Sequence, residues 1–316
     1  MEIRNLGNSG LRVSVVGLGC NNFGARLDVE ATRRVVHRAL DKGVTLFDTA
    51  DAYGNRGGSE SQLGEVLGAR RRDVVVATKF GWEMDDVDVK RGGSRAYIMN
   101  AIEDSLRRLR TDYIDLYQLH KPDPRTPIEE TLRALDDVVR QGKVRYIGCS
   151  NFAGWQLVDA AWVSRTEHLN AFVSAQNEYS LLVRDVEAEL VPAMQKFGVG
   201  LLPYFPLGGG LLSGKYRRGA SLPEGARLTD TQRSADRFLT ERNWSIVEKL
   251  QAIADERGAA MLDVAIGWLA SRPTVASVIA GATRPEQIDA NVAAAATHLD
   301  AQTLARIDEF TRPSRA

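Results

Sequence analysis

The sequence has few cysteines, no long apolar run and no excess of either charge. Its two cysteines, Cys20 and Cys149, are too few for a disulfide framework or a four-cysteine zinc site. No apolar run approaches the roughly 18 residues of a membrane span, and the first residues lack the apolar stretch of a secretory signal. Lysine plus arginine and aspartate plus glutamate both number 41, so the formal net charge is zero. We therefore expect a cytoplasmic protein with no membrane or nucleic-acid partner.

Three common site motifs are also missing. There is no closely spaced histidine pair and no Cys/His cluster, so we expect no metal site. The Gly-x-Ser-x-Gly turn of a hydrolase nucleophile is absent. Residues 17–24 (Gly-Leu-Gly-Cys-Asn-Asn-Phe-Gly) do not have the Gly-x-Gly-x-x-Gly spacing that an open, doubly wound dinucleotide-binding sheet would carry.

The chain does contain a regular alternation of short apolar runs and amphipathic segments. Residues 2–16 are predicted to form a β-hairpin, and eight strand-helix units follow without a linker. The eight predicted strands are 15–19, 44–48, 73–79, 114–120, 144–150, 172–177, 199–204 and 277–280. Such alternation predicts an α/β fold, a (β/α)8 TIM barrel with an N-terminal hairpin over its closed end and a C-terminal helix near 301–310. We predict one domain, residues 1–316.

Several helix starts are predicted from capping residues. Asp28 and Ser94 are predicted N-caps. Three capping boxes are predicted, at Ser59–Gln62, Thr126–Glu129 and Thr283–Glu286. The stretch 206–240 is the least regular, and loops of this length inside a domain are usually functional.

Four polar residues lie at or just after the ends of three predicted strands. Asp48, Lys79 and His120 each close a run, and Tyr53 follows Asp48 in the next loop. In a parallel barrel the carboxyl ends of the strands meet at one open end, where active sites are built. We predict that these four side chains meet there.

The four residue types suit proton transfer to an oxygen atom. The pKa of tyrosine is near ~10, and a neighbouring ammonium lowers it, so Lys79 could make Tyr53 a usable proton donor and acceptor. Asp48 would hold Lys79 charged, and His120 would hydrogen-bond the substrate oxygen or join the relay. No side chain supplies hydride, so carbonyl reduction would require a nicotinamide or similar cofactor.

Motifs along the whole chain resemble those of the aldo-keto reductases. Residues 47–54 (Phe-Asp-Thr-Ala-Asp-Ala-Tyr-Gly) are similar to the family's catalytic Asp/Tyr stretch, Thr-Lys at 78–79 to its Lys strand end, and 115–120 to its His strand. Further matching motifs lie at 142–151, 176–179, 203–208, 212–216 and 281–287. The resemblance implies Asp48, Tyr53, Lys79 and His120 as the catalytic residues, with Tyr53 the general acid.

The resemblance also implies where a nicotinamide cofactor binds. Residues matching Ser150, Asn151 and Gln176 hydrogen-bond the carboxamide in the family, and one matching Tyr204 stacks on the ring. Phe205 stands where many members have Ser. Further cofactor residues are implied near the pyrophosphate and adenosine: Pro206, Leu207, Gly208, Lys215, Gly281, Thr283, Arg284, Gln287 and Asn291.

NADPH is favoured, with NADH as the alternative, because Arg284 offers a forked cation suited to an adenosine 2′-phosphate. Thr283 and Arg284 differ from the Lys-Ser/Thr or Arg-Lys pairs found elsewhere in the family. Substrate contacts are expected from loops above the four catalytic residues, at Asn22, Phe23 and Trp82. The charged segment 85–91 is expected at the edge of a lid.

Two functions remain open. The first is a reductase that converts an aldehyde or ketone to an alcohol, reversibly. The second is a regulatory nicotinamide-binding subunit of the channel β-subunit type. A chain that starts at the hairpin and keeps all four catalytic residue types leads us to expect the enzyme. The sequence indicates neither the natural substrate nor the oligomeric state.

Overall fold

The predicted hairpin is present at the start of the chain. It consists of β1 (Ile3–Asn5) and β2 (Arg12–Ser14), which pair antiparallel. Its turn passes very close to the loop at Gly198. A Cβ added to Gly7, where φ is +58°, would lie 2.4 Å from the Gly198 carbonyl oxygen. Only glycine therefore fits this turn.

A computed structural model describes residues 1–84, 90–223, 225–230 and 232–312. The strands of its larger sheet are β3 (Val16–Gly19), β4 (Leu46–Asp48), β5 (Val75–Phe80), β6 (Ile114–Leu119), β7 (Val144–Ser150), β8 (Phe172–Gln176), β9 (Gly200–Leu201) and β10 (Val278–Gly281). They are parallel and follow the order β10-β3-β4-β5-β6-β7-β8-β9.

The two outermost strands of this order are joined by hydrogen bonds. The Leu201 N–H donates to Thr274 O at 2.7 Å, and the Ala276 N–H donates to Leu201 O at 3.0 Å. This parallel bridge lies just before β10. The predicted α/β class is confirmed, and the curled sheet is consistent with a (β/α)8 barrel.

Helices connect the strands and cover the outer face of the sheet. They are α1 (Val29–Asp41), α2 (Tyr53–Leu67), α3 (Arg95–Leu109), α4 (Ile128–Arg140), α5 (Gly154–Thr166), α6 (Leu190–Phe197), α7 (Arg227–Asp230), α8 (Gln232–Phe238), α9 (Glu241–Glu256), α10 (Met261–Ala270), α11 (Pro285–Ala295) and α12 (Ala301–Thr311). Short 3-10 helices lie at Gly68–Asp73, Asp185–Glu187 and Gly208–Ser213. No helix in the described ranges is long and apolar enough to cross a membrane.

Two predicted N-caps are confirmed, and two predicted capping boxes are wrong. The side chains of Asp28 and Ser94 each accept a hydrogen bond from the backbone N–H three residues later. Ser59 instead lies inside α2 and donates to Cys20 O at 2.8 Å. Thr126 donates to Asp123 at 2.8 Å, and α4 begins without a side-chain cap. The Ser59 hydroxyl is therefore taken by a distant backbone carbonyl, and the Thr126 hydroxyl by a carboxylate three residues earlier in the same loop.

Apolar side chains form one layer between the helices and the sheet and a second layer inside the sheet's curvature. The inner layer contains Leu46, Ala77 and Leu116, packed together with Leu6 and Val13 of the hairpin. The hairpin therefore covers the amino ends of the strands, as predicted. The opposite, carboxyl ends are left for polar residues.

Candidate active site

The apolar interior changes to a polar layer at the carboxyl ends of the strands. Residues two apart in a strand face the same side of the sheet. The polar residues that follow the interior positions 46, 77 and 116 by two are Asp48, Lys79 and Gln118. His120 follows two residues later, and Tyr53 is the first residue of α2. The structure thus brings the four predicted catalytic residues together.

Asp48 and Lys79 form a buried ion pair. Lys79 Nζ lies 2.7 Å from Asp48 Oδ2 and also donates to Thr49 O at 2.9 Å. Burial lowers the pKa of Lys79, but the Asp48 carboxylate and the Tyr53 phenol together outweigh it, so this pKa lies above its usual value. Lys79 therefore carries its charge at neutral pH although its side chain is fully buried.

Tyr53 is half-buried, and its phenol hydrogen-bonds to Lys79. Burial raises the pKa of Tyr53, and the nearby Asp48 charge adds to this rise, while Lys79 opposes it. Lys79 thus acts in the predicted direction, but burial outweighs it and the net shift of this pKa is upward. Tyr53 is consequently protonated at neutral pH and is a proton donor rather than a phenolate.

His120 is neutral. Burial, followed by the charges of Lys79 and Lys121, holds the pKa of His120 well below its usual range. Its Nδ1 is buried and has no hydrogen-bond partner among the residues that the structure describes. The ring lies edge-on to Tyr53, with centroids 5.6 Å apart, and tilted against Trp82 at 5.3 Å. A neutral imidazole and a phenol placed side by side can both hydrogen-bond to the same substrate oxygen atom.

Two glutamines that support Asp48 were not predicted in this role. Gln176 Nε2 donates to Asp48 Oδ1 at 2.8 Å, and Gln118 Nε2 donates to the same oxygen at 3.3 Å. Gln118 is paired in register with Lys79 and lies two residues before His120. Its position on the interior face of β6 was therefore visible in the alternation of that strand.

A second buried polar network lies behind the loop that carries Tyr53. Asp51 is 1% exposed, and its Oδ2 accepts a hydrogen bond from Tyr97 OH at 3.0 Å. Its Oδ1 is buried and, within the described part of the chain, has no partner. Burial, followed by the nearby Glu60 charge, raises the pKa of Asp51 to about 8. Asp51 therefore holds a proton at neutral pH.

Glu60, in contrast, has strong partners. Thr78 donates to Glu60 Oε1 at 2.6 Å, and Arg108 Nε lies 2.6 Å from Glu60 Oε2. The Asp51 N–H also donates to Lys79 O at 3.1 Å. This network joins β5, α2 and α3 directly beneath the catalytic loop, and the sequence analysis missed it.

A cavity of about 470 Å³ opens above the catalytic residues. Its lining consists of Ala52, Tyr53, Arg56, Trp82, Glu83 and His120. Trp82 is 42% exposed, and Lys121 Nζ lies 4.2 Å from the centre of its ring. Lys121 is also paired with Glu83 at 3.3 Å. The cavity mouth thus combines an aromatic wall with charged groups, and Arg56 was not predicted there.

The other two predicted substrate residues lie elsewhere. Phe23 is fully buried in the layer between helices and sheet, so the structure does not support it as a substrate contact. Asn22 does not line the cavity and is 7% exposed. A Cβ on Gly281 would lie 3.5 Å from Asn22 Nδ2, which places Asn22 beside the predicted cofactor residues. Most of the predicted lid edge, residues 85–89, lies outside the described residues.

The residues predicted to hold a nicotinamide are in contact with one another. Ser150 Oγ donates to Gln176 O at 2.8 Å, and Asn151 Nδ2 donates to His120 O at 2.9 Å. Tyr204 OH donates to Asn151 Oδ1 at 2.7 Å. Amide and hydroxyl groups beside a half-buried aromatic ring are a donor set that fits a flat ring bearing a carboxamide.

The glycine-rich turn lies next to this group. Gly208 has φ +53°, which favours glycine, and a Cβ there would lie 2.7 Å from Leu182 Cδ1, so the Leu182 side chain would have to move. Pro206 is buried, Leu207 is half-buried and Lys215 is exposed. The stretch 206–240, predicted irregular, includes a 3-10 helix, α7 and α8.

The predicted capping box at Thr283–Glu286 is wrong in its partners. The side-chain oxygen Oε1 of Gln287, not Glu286, accepts from the N–H of Thr283 at 2.7 Å and of Arg284 at 3.3 Å. An anion at this helix start would therefore meet the exposed Arg284 guanidinium rather than these two amides. Asn291, one turn beyond Gln287 on the same helix, is buried.

Comparison with known proteins identifies the family. The model of the "Aldo/keto reductase family" matches residues 15–312. Together with eight parallel strands and the polar layer at their carboxyl ends, this shows that the chain belongs to the aldo/keto reductase family, whose members use nicotinamide cofactors.

Its relatives include proteins with two kinds of name. The chain is 39% identical to the protein named "Uncharacterized oxidoreductase YrpG" of Bacillus subtilis (strain 168), over 98% of this chain and 96% of the relative. It is also 39% identical to proteins named "Probable voltage-gated potassium channel subunit beta" of Arabidopsis thaliana and of Oryza sativa subsp. japonica, over 93% of this chain and 91% of each relative. Family membership and the first relative support an oxidoreductase.

Proposed function

We propose that the protein is a cytoplasmic, single-domain, NADPH-dependent reductase of aldehydes or ketones, reversible as an alcohol dehydrogenase. The observation that carries this proposal is the continuous chain Asp48–Lys79–Tyr53 at the base of the cavity. It ends in a protonated phenol that faces the same space as the neutral His120. Such a chain delivers a proton to an oxygen atom, which is one half of carbonyl reduction.

The proposed cofactor residues are consistent with a nicotinamide dinucleotide. Ser150, Asn151 and Gln176 would hold the carboxamide, and the Tyr204 ring would lie against the nicotinamide. The turn 206–208 and Lys215 would lie by the pyrophosphate. The helix entry, with Gly281, Thr283, Gln287 and Asn291, would take the adenosine. When bound, the reduced nicotinamide supplies the hydride.

Arg284 is the residue that would favour NADPH over NADH. Its guanidinium is exposed and lies at the start of α11, where a forked cation can meet a phosphate with two hydrogen bonds. An aldehyde or ketone would enter past Trp82, with Asn22 near the boundary between substrate and cofactor.

The proton is delivered by Tyr53. His120 and Tyr53 together hydrogen-bond the carbonyl oxygen, and the phenol transfers its proton as negative charge develops on that oxygen. The Lys79 ammonium then stabilises the phenolate that remains, because it is already in place and needs no reorganisation. Asp48, held by Gln118 and Gln176, keeps Lys79 charged and oriented.

The test is turnover of NADPH with a panel of aldehydes and ketones, measured for the wild type, Tyr53→Phe and Tyr113→Phe. Tyr113 does not line the cavity, so Tyr113→Phe makes the same chemical change at a control position. A general acid contributes about 10²–10⁴ in rate, so Tyr53→Phe should lose at least ~100-fold in kcat while keeping its NADPH affinity. Equal losses in both variants would refute the assignment.

A second candidate is a regulatory nicotinamide-binding subunit, because two similar proteins are named as potassium channel β-subunits. The same panel separates the two. Tight NADPH binding with no turnover of any carbonyl, in either direction, would favour regulation. The chain Asp48–Lys79–Tyr53 supports the reductase as the first proposal.

A further inference from the structure

The hydroxyl of Tyr97 connects two segments that are far apart in the chain. Tyr97 is the third residue of α3, and its side chain is 6% exposed. Its OH donates to Asp51 Oδ2 at 3.0 Å, and its oxygen accepts a hydrogen bond from the N–H of Gly81. One buried hydroxyl is therefore bonded to the loop after β4 and to the loop after β5.

The first of these is the Tyr53 loop, residues 49–53. Asp51 precedes Tyr53 by two residues, and its N–H donates to Lys79 O at 3.1 Å. The Tyr53 N–H donates to Ala50 O at 3.2 Å, so residues 50–53 form one tight turn. Because the turn is this short, a bond that holds the Asp51 side chain also limits the positions that Tyr53 can take.

The second is the Trp82 segment, residues 81–84. The peptide unit that joins Phe80 to Gly81 is bonded on both sides, because its N–H meets Tyr97 and its carbonyl accepts from the His120 N–H at 2.8 Å. A peptide unit is planar and rigid. The Tyr97 hydroxyl is thus one rigid group away from the backbone of His120 and one residue away from Trp82.

The relative position of these two segments decides whether the proposed chemistry is possible. Tyr53 and His120 have to reach one oxygen atom of the substrate, and their ring centres lie 5.6 Å apart. A displacement of about 1 Å at the reacting atoms can cost roughly a hundredfold in rate. Tyr97 does not line the cavity, so any influence on the reaction acts through the residues that its hydroxyl holds.

We propose that Tyr97 is a positioning residue for carbonyl reduction, whose hydroxyl holds the Tyr53 loop and the Trp82 segment at the separation that lets Tyr53 and His120 meet one oxygen atom. The effect on catalysis rests on the proposed reductase function. The linkage of the two segments does not, so the two parts are measured separately.

Hydrogen–deuterium exchange of the full chain, followed by mass spectrometry, tests the linkage without any substrate. Tyr97→Phe removes the hydroxyl and keeps the ring. Amides of the Tyr53 loop and the Trp82 segment should then exchange about five- to tenfold faster, because each loses one hydrogen bond, and the amides of α4 should not change.

Tyr117→Phe is the matched control. Tyr117 is fully buried beside the same network, and its OH has no hydrogen-bond partner among the described residues. The same chemical change is therefore made nearby without cutting a bond to either segment. Exchange and kcat of this variant should stay within about twofold of the wild type.

Steady-state kinetics test the positioning. Tyr97→Phe should lower kcat for carbonyl reduction at least about tenfold while the Kd for NADPH stays within about twofold, because the proposed cofactor residues lie on other elements. Unchanged exchange in both segments, an equal rise in exchange across the barrel, equal effects of Tyr117→Phe, or an unchanged kcat with both segments freed would overturn the proposal. A wild type that reduces no carbonyl compound would refute the reductase function, and exchange alone would then decide the linkage.

Discussion

Replacing Asp51 by Asn should stabilise the protein at neutral pH, although it alters a fully buried position. The folded chain keeps Asp51 protonated because the carboxyl is buried and lies near the Glu60 charge. An asparagine has the shape of the protonated acid, and its carbonyl can still accept the hydrogen bond from Tyr97. The variant therefore keeps the contacts and removes the need to bind a proton on folding.

The size of the effect follows from the two pKa values. The pKa of Asp51 is about 8 in the folded chain, against 3.8 as its usual value. Between these values the folded state binds a proton that the unfolded state releases, so the free energy of unfolding falls as pH rises. The slope is about 1.4 kcal/mol per pH unit, which amounts to roughly 4 kcal/mol at pH 7. The Asn variant avoids this loss, and we expect a gain of about 2–4 kcal/mol there.

Urea unfolding of both proteins at pH 4.5, 6, 7 and 8 measures this gain. The difference between them should be small at the lowest pH and should widen as the pH rises towards the Asp51 pKa of about 8. Asp112→Asn, at an exposed position, is the matched control and should leave the curve unchanged. Parallel stability curves for the wild type and Asp51→Asn would refute the reasoning, as would a variant that is less stable at every pH.

Three further outcomes follow from the site. Lys79→Met should lower turnover at least ~100-fold and destabilise the fold by about 3–5 kcal/mol, because it leaves the Asp48 carboxylate buried and unpaired; urea unfolding and kcat measure both. Arg284→Ala should raise the KM for NADPH roughly tenfold and leave that for NADH unchanged; equal changes would contradict the assignment. Because the pKa of Tyr53 is raised, Tyr53 should keep its proton, and kcat for carbonyl reduction should stay level between neutral pH and about pH 9. A pH profile of kcat that falls within this range would contradict this.

The site residues that lie on the interior face at strand ends could be predicted from the sequence. Asp48, Lys79 and His120 each end an apolar run, and parallel strands bring such ends to one edge. Gln118 obeys the same rule and could have been found by counting two residues back from His120. Gln118 itself transfers no proton, and its residue type alone does not indicate that it holds Asp48.

Side-chain contacts between elements far apart in the chain could not be predicted from the sequence. Asp51 is bonded to Tyr97, 46 residues later and on a helix, and no local pattern links the two. The same limit explains the failed capping box at Ser59, because its hydroxyl donates to the Cys20 carbonyl across the fold rather than capping its own helix. Phe23, expected in a substrate loop, turned inward because a fully apolar ring gains more from the core than from the cavity.

The hairpin beneath the sheet has a consequence for how such a chain can change over evolution. Leu6 and Val13 complete the apolar interior at one end, while Trp82 and Arg56 line the cavity at the other. Residues at one end of the strands thus stabilise the fold, and residues at the opposite end contact the ligand. A lineage can lengthen, shorten or exchange the upper loops and acquire new substrates, while the lower end keeps every variant folded long enough to be selected.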